Sequence, residues 1–265
     1  MTKIIAVANH KGGVGKTTTV ASLGAILSDM GKRILLVDLD SQSNLTTSLY
    51  GKEPEQTIYN ALRGQGALPV VKLADRLSLV PSSLDMAGIE LEVGSVMQRE
   101  YLLKDLLEPL QARFDYILLD CPPSLGLIVI NAFVAATDVF IPLTAEALPF
   151  KGLVKITDII KMVQRRLNPS LELSGIFITR WERSKLAQQV EEALRAQYGD
   201  IVYKTKIRKN ISIAEAPLTG KDILSYAPSS NGAKDYKALA LEITENSNTN
   251  NIDNTINNKN NKFTI

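Results

Sequence analysis

Residues 11–18, Lys-Gly-Gly-Val-Gly-Lys-Thr-Thr, have the types and spacing to hold phosphate. Glycines let backbone N–H groups turn inward on oxygen atoms. A helix opening at Lys16 adds the positive end of its dipole, and the Lys16 ammonium adds a full charge. The strict pattern G-x-x-x-x-G-K-[ST] is not met. His10 stands at its first glycine, and Gly12, Gly13 and a second lysine, Lys11, fill the gap. Three carboxylates could serve such a loop: Asp38, Asp40 and Asp120 each close an apolar run. A strand rising into an aspartate beside a phosphate loop suits a hydrated Mg2+, with the Thr17 hydroxyl as a further ligand. Asp38 and Asp40 share a strand face unless the strand ends between them, so one can meet metal or loop while the other orients an attacking water. Alone, each aspartate reads as a turn or cap residue; the phosphate loop in the same chain gives them chemistry.

The elements that must position these groups alternate. Strands are predicted at Ile4–Ala8, Ile34–Leu39, Leu77–Val80, Tyr116–Asp120, Val139–Pro142 and Ile176–Thr179, with Val202–Tyr203 as a short last one. Most are continuous apolar runs, which suits a parallel sheet covered on both faces. Helical periodicity fills the gaps at Lys16–Met30, Gln98–Leu107, Gly126–Ala135, Lys151–Leu167, Lys185–Gln197 and Lys234–Ile243, and Gly31 fits a helix C-cap. The expected fold is α/β, a doubly wound, mostly parallel sheet with helices on both faces and ligands at the carboxyl ends of its strands. Residues 51–73, broken by Pro54, Gly64, Gly66 and Pro69, are the least legible. Residues 1–245 are expected to form a single domain. Residues 246–265, with nine asparagines, are expected to be a disordered tail, with partner binding as the other reading.

Composition removes several function classes. One cysteine, Cys121, excludes an internal disulfide framework and reads as a small buried residue rather than a catalytic thiol. One histidine leaves neither a Ser/His/Asp triad nor a zinc cluster. The longest apolar stretch, Leu125 to Ala136, is too short to span a bilayer, and no signal peptide is evident, so a cytoplasmic protein is expected. The net charge of +2 hides an asymmetry: residues 1–150 carry 12 Lys/Arg and 16 Asp/Glu, residues 151–245 carry 16 and 11. A basic second half suits either a polyanion partner or a merely solvated surface.

Four motifs together resemble one family. The stretch Lys11 to Thr18 is similar to the deviant Walker A loop of ParA/MinD ATPases. Leu36 to Asn44 resembles the family's second box, whose commoner form has proline where Ser41 stands. Tyr116 to Gly126 resembles its Walker B segment, and Ile207 to Tyr226 (with Arg208, Asn210, Glu215-Ala216-Pro217 and Gly220-Lys221) its C-terminal segment. The likeness covers roughly residues 1–245. It implies a P-loop ATPase that binds ATP and Mg2+ and forms a homodimer with two nucleotides between the subunits. By resemblance, Lys11 reaches the partner's phosphates and Lys16 holds the β- and γ-phosphates. Thr17 holds Mg2+, Thr18 an α-phosphate oxygen, Asp40 positions water and Asp120 holds Mg2+ through water. Asp38 joins the metal set, and Gly12, Gly13, Val14, Gly15, Arg208 and Asn210 the nucleotide set. Lys11, Lys16 and Asp40 are the catalytic candidates.

The branches of the family differ in what the ATP dimer binds. An amphipathic membrane-targeting end is missing from the Asn-rich tail, and one cysteine cannot supply a cluster-binding pair, so no membrane or iron–sulfur role is expected. The ParA branch binds DNA without sequence preference, which needs clustered cations rather than a base-reading element. Arg183, Lys185, Arg195, Lys204, Lys206, Lys209 and Lys221 are the candidates, individually also readable as solvated charges. The expected partners are DNA of the nucleoid and a ParB-like or cargo-adaptor protein that stimulates hydrolysis. Lys151 precedes Gly152-Leu153 at a helix start, where a cation opposes the helix dipole unless an anion compensates. It is either a local surface lysine or a second residue at the partner's ATP, as in McdA-like relatives that distribute carboxysomes. The cargo is then a plasmid, a chromosome region or a carboxysome. Rival readings are a P-loop enzyme acting on a small substrate and a nucleotide-dependent DNA-compacting protein.

Overall fold

The computed structural model describes residues 2–146 and 149–260, and side chains for 2–146 and 152–245. The strands are β1 (Lys3–Val7), β2 (Ile34–Asp38), β3 (Val71–Ala74), β4 (Leu77–Val80), β5 (Tyr116–Asp120), β6 (Asp138–Thr144) and β7 (Glu172–Thr179). The helices are α1 (Lys16–Asp29), α2 (Asn44–Tyr50), α3 (Ile58–Leu62), α4 (Ile89–Glu92), α5 (Leu102–Leu107), α6 (Leu127–Ala135), α7 (Pro149–Arg166), α8 (Lys185–Tyr198), α9 (Ile211–Glu215), α10 (Ile223–Tyr226) and α11 (Asn231–Asn260). They surround one seven-stranded sheet of order β3-β4-β2-β5-β1-β6-β7. Every pairing is parallel except β3 with β4. The order reverses at β1, which lies between β5 and β6, and that reversal opens the crevice at the strands' carboxyl ends where such sheets bind ligands.

Alternation along the central strands feeds two cores. Ile4, Ala6 and Ala8 face one side with Leu35, Val37, Ile117, Leu119, Val139 and Ile141, against α3 to α8. Ile5 and Val7 face the other with Ile34, Leu36, Leu118, Phe140 and Phe177, against α1 and α11. With apolar side chains wanted on both faces, the runs contain no polar alternation, which is why they read as buried strands. The α7 helix meets the sheet through Leu153, Ile156, Ile160 and Val163, a stripe of helical period. The α1 helix lies so close to β2 that a Cβ at Gly24 would sit 2.6 Å from Leu36 Cδ2.

Three details differ from the sequence expectation. The least legible stretch holds β3, an antiparallel edge strand whose residues alternate between half-buried and exposed. Val202–Tyr203 forms no regular strand: the segment runs beside β7 through isolated contacts, Val202 bridging Ile176, the Ile207 N–H donating to Ile178 O and Arg208 bridging Trp181. The α11 backbone runs on to Asn260, through most of the stretch expected to be disordered. A helix already nucleated extends by one hydrogen bond per residue fixed, so it can outrun its packed part. The side chains of that extension lie outside the described set.

Candidate nucleotide site

The loop between β1 and α1 is shaped by glycine. Gly13 (φ 72°) and Gly15 (φ 89°) take left-handed conformations that L side chains rarely adopt. Thr179, at the end of β7, pins the loop by donating its hydroxyl to the Val14 carbonyl at 2.8 Å. Asn9 braces the other flank, its amide donating to Pro142 O at 2.7 Å while its Oδ1 accepts the Lys11 N–H at 3.0 Å.

The two lysines occupy different sides of this loop. Lys16 is buried at 7% exposure and its Nζ donates to the Lys11 carbonyl at 3.3 Å, across the mouth. Burial lowers its pKa, opposed by the charges of Asp120, Cys121 and Asp40. Lys11 points outward, half exposed, and pairs with Glu146. That pairing with Lys11 holds the Glu146 carboxyl below its ordinary range, helped by the Thr144 hydroxyl. Asn9, Lys11, Val14, Thr144, Glu146 and Gly152 line a cavity of about 340 Å³ beside it. The first turn of α7 therefore borders the Lys11 side of the loop, but the Lys151 side chain lies outside the described residues.

Asp38 and Asp120 end neighbouring strands as register partners. Asp38 is fully buried and spends its carboxylate on the chain. Its Oδ2 accepts the Thr46 N–H at 2.9 Å and the Thr46 hydroxyl at 2.7 Å, and its Oδ1 accepts the Asp40 N–H at 3.2 Å. Those bonds anchor α2 and aim Asp40, whose own Oδ1 accepts the Gln42 N–H at 3.0 Å. Burial pushes the Asp38 carboxyl up to about 6, against the pull of Thr46. Unfolded, it titrates near 3.8. Between those values the folded state holds more protons, so the nucleotide-free protein should lose stability as pH rises from about 4 to about 6, on the order of 1–3 kcal/mol. Urea denaturation at both ends of that window checks it; stability that rises or stays level contradicts it.

Asp120 is buried at 1% exposure, and neither of its oxygens has a hydrogen-bond partner. Burial, then the Asp38 charge, raises its pKa well above the usual carboxylate range; Thr17 and Lys16 act in the opposite direction. The Thr17 hydroxyl is near enough to oppose that shift but outside hydrogen-bond geometry. Buried orphan carboxylate oxygens call for a cation. Among the described residues no cluster of acids, histidines or cysteines could enclose a metal. Mg2+ takes few protein ligands and completes its shell with water and phosphate. The donor set (Thr17, Asp120, loop amides, Lys16) thus fits a magnesium-bound polyphosphate. Cys121 is buried, with its thiol pushed up by burial and by Asp120, so it is not a nucleophile.

A cavity of about 530 Å³ continues from Gly13, Gly15 and Thr18 to Arg208, Asn210 and Pro217. Its far wall is fixed by capping. Asn210 accepts the Ser212 N–H at 2.9 Å to start α9. Asp235 on α11 accepts the Arg208 N–H at 2.9 Å and its guanidinium at 2.6 Å. Tyr236, fully buried beside it, bonds Thr19 of α1 at 3.2 Å. The sequence expectation missed Asp235 and Thr179 here. Arg180 holds a left-handed backbone (φ 50°) at the end of β7 and lines the same cavity; no spacing rule marks it.

The basic candidates divide. Arg195 donates to the carbonyls of Val202 and Tyr203 and to Glu191, and Lys206 pairs with Glu191 at 2.5 Å and lies over Trp181. Lys209 pairs with Glu182 at 3.1 Å. Arg183 and Lys185, flanking the Ser184 cap of α8, are exposed and without an ion pair among the described residues, as are Lys204 and Lys221. No helix among the described residues is long and apolar enough to cross a membrane.

Known proteins are similar to this chain over nearly its whole length. The sporulation initiation inhibitor protein Soj of Bacillus subtilis is 41% identical over 252 residues, 93% of this chain and 100% of Soj. The crystal structure of cobyrinic acid a,c-diamide synthase from Mycobacterium smegmatis, with bound ADP and magnesium, is 36% identical with a TM-score of 0.79, covering 91% of this chain and 93% of that one. Cyanothece McdA, solved as a variant in complex with ATP, is 25% identical with a TM-score of 0.82, covering 92% of this chain and 96% of McdA. Residues 2–173 match the AAA domain family. With this fold, this loop and these relatives, the chain belongs to the Soj/ParA family of partitioning ATPases.

Proposed function

We propose that the protein is an ATP-dependent dimerising ATPase that binds DNA without sequence preference and positions a cargo through partner-stimulated hydrolysis. The separation of the two loop lysines carries this reading: Lys16 lies inside its own cradle, while Lys11 faces outward from it. ATP and Mg2+ are the ligands. Lys16, Thr17 and Thr18 with the amides of residues 12–15 hold the phosphates, and Arg208 and Asn210 border the nucleoside. Thr17 and, through water, Asp120 hold Mg2+, which neutralises charge on the phosphate oxygens. Asp38 serves by anchoring α2 and aiming Asp40 rather than by direct ligation, because its oxygens are already used. Asp40 positions the attacking water. Lys11 crosses to the partner's phosphates, where it compensates charge that ATP has and ADP lacks, so the dimer forms with ATP and parts on hydrolysis.

The DNA face centres on Arg183, Lys185, Lys204 and Lys221, since Arg195, Lys206 and Lys209 are spent on local carboxylates and carbonyls. We place the protein in the cytoplasm on the nucleoid, with residues 1–245 as the working domain and 246–265 as a tail outside its core. The cargo is a plasmid, a chromosome region or a carboxysome. DNA retention measured with ATP, ADP and no nucleotide tests the switch; equal retention in all three states removes it. Asp40→Ala should keep the ATP dimer while slowing turnover roughly 100-fold, read by phosphate release beside sedimentation. A second reading, a P-loop enzyme acting on a small acid, is prompted by the synthase named above. It requires turnover that responds to a small acid and not to DNA.

A further inference from the structure

Four of the exposed apolar side chains lie close together in sequence. Leu84 (71% exposed), Leu91 and Met97 (89% each) and Val96 (42%) fall within residues 84–97. Singly scattered apolar groups are ordinary surface, whereas a large contiguous exposed patch marks an interaction site. A groove of about 510 Å³ opens beside it, between Leu62, Gly64, Val93, Val96 and Leu102. Its surroundings are acidic. Residues 84–108 carry Asp85, Glu90, Glu92, Glu100, Asp105 and Glu108 against Arg99 and Lys104. Arg63 and Arg99 are already paired, with Glu92 at 2.8 Å and Glu100 at 3.4 Å. Asp85, Asp105 and Glu108 are exposed and have no ion pair among the described residues.

The stretch also contacts the start of α6, beyond the end of β5. Glu90, on α4, accepts the Ile128 N–H at 3.2 Å and so caps the start of α6. A Cβ at Gly126 would collide with the Glu90 carboxylate. Glu90 therefore lies against the segment that joins Asp120 to α6, and a displacement of α4 reaches that segment through one hydrogen bond.

We propose that the surface of residues 84–102 is the docking face for a basic amphipathic helix of the stimulating partner, and that Glu90 passes docking on to residues 121–126. The helix lays apolar anchors at i, i+3 and i+4 into the groove and its Lys/Arg face toward the carboxylates. DNA, itself an anion, is repelled from this face. The inference rests on the reading of the chain as a partner-stimulated ATPase.

A fluorescein-labelled amphipathic peptide of Leu and Lys, titrated into the full chain with ATP and Mg2+, tests it by anisotropy and phosphate release. The expected result is salt-sensitive binding that raises turnover. The double variant Leu91→Ser/Met97→Ser weakens binding by roughly tenfold or more, with unstimulated turnover and DNA retention unchanged. Glu90→Ala binds the peptide within about threefold of the parent, a loss of less than 1 kcal/mol, but is no longer stimulated. Absence of binding to the parent chain, equal binding by the double variant, or equal binding of a Leu/Glu peptide overturns the docking face. Full stimulation of Glu90→Ala overturns the transmission. If the peptide binds and stimulates but DNA retention never depends on ATP, the DNA-positioning role fails and the docking face stands.

Discussion

Lys11→Ala is expected to weaken ATP-dependent dimerisation by about 100-fold or more, while the monomer's stability changes by less than about 1 kcal/mol. The two halves of that result have separate causes. In the monomer Lys11 makes one ion pair, with Glu146, and both side chains are more than half exposed at 53% and 57%. An exposed pair of this kind contributes little to folding, and the glutamate left behind remains solvated. In the dimer the same ammonium would face a partner's triphosphate inside a closing interface, where removing one member of a desolvated charge pair costs several kcal/mol. Sedimentation with ATP, beside thermal unfolding without it, reads both. A variant that still dimerises with ATP would move the cross-subunit role to another cation. Lys151 is the first to test, since its helix borders the Lys11 cavity.

Asp120→Asn should make the protein more stable and nearly inactive. The wild-type carboxylate is buried without a hydrogen bond, and burial beside Asp38 drives its pKa upward. A carboxyl whose folded pKa exceeds its unfolded one costs stability once pH passes the unfolded value. The gain in the amide variant should therefore be absent near pH 4 and grow towards neutrality. Hydrolysis should fall by about 100-fold or more, because the amide cannot balance the cation's charge. Urea denaturation across pH, with phosphate release at saturating ATP and Mg2+, checks both. A destabilised variant at pH 7, or one with unchanged turnover, would mean that Asp120 is a structural residue.

Much of this was legible in the sequence, for physical reasons that also mark its limits. The central strands declare themselves because both faces are covered. The edge strand Val71–Ala74 does not, because an exposed edge needs no apolar run and its neighbourhood is broken by Gly64, Gly66 and Pro69. Lys16 and Thr17 are fixed by the loop's own spacing. The division of labour between Asp38 and Asp40 is not, because it depends on Thr46, which donates both a backbone and a side-chain bond to Asp38. The far wall of the loop's cavity was reachable only by family likeness: Arg208 and Asn210 meet the loop through the fold, and Asp235, which sets Arg208 in place, has no local motif. Charge type could nominate Arg195 and Lys206, but only geometry shows their charge directed at Glu191.

The bond between Thr19 and Tyr236 joins residues 217 positions apart. Translation at roughly 5–20 residues per second separates them by about 10 to 40 s. The phosphate loop is thus among the first segments to leave the ribosome, and the helix that completes the wall of its cavity among the much later ones. Until α11 is made, the cavity beside the loop lacks the wall that Tyr236 supplies. A half-synthesised copy therefore carries the glycine loop without the Tyr236 wall of the cavity beside it.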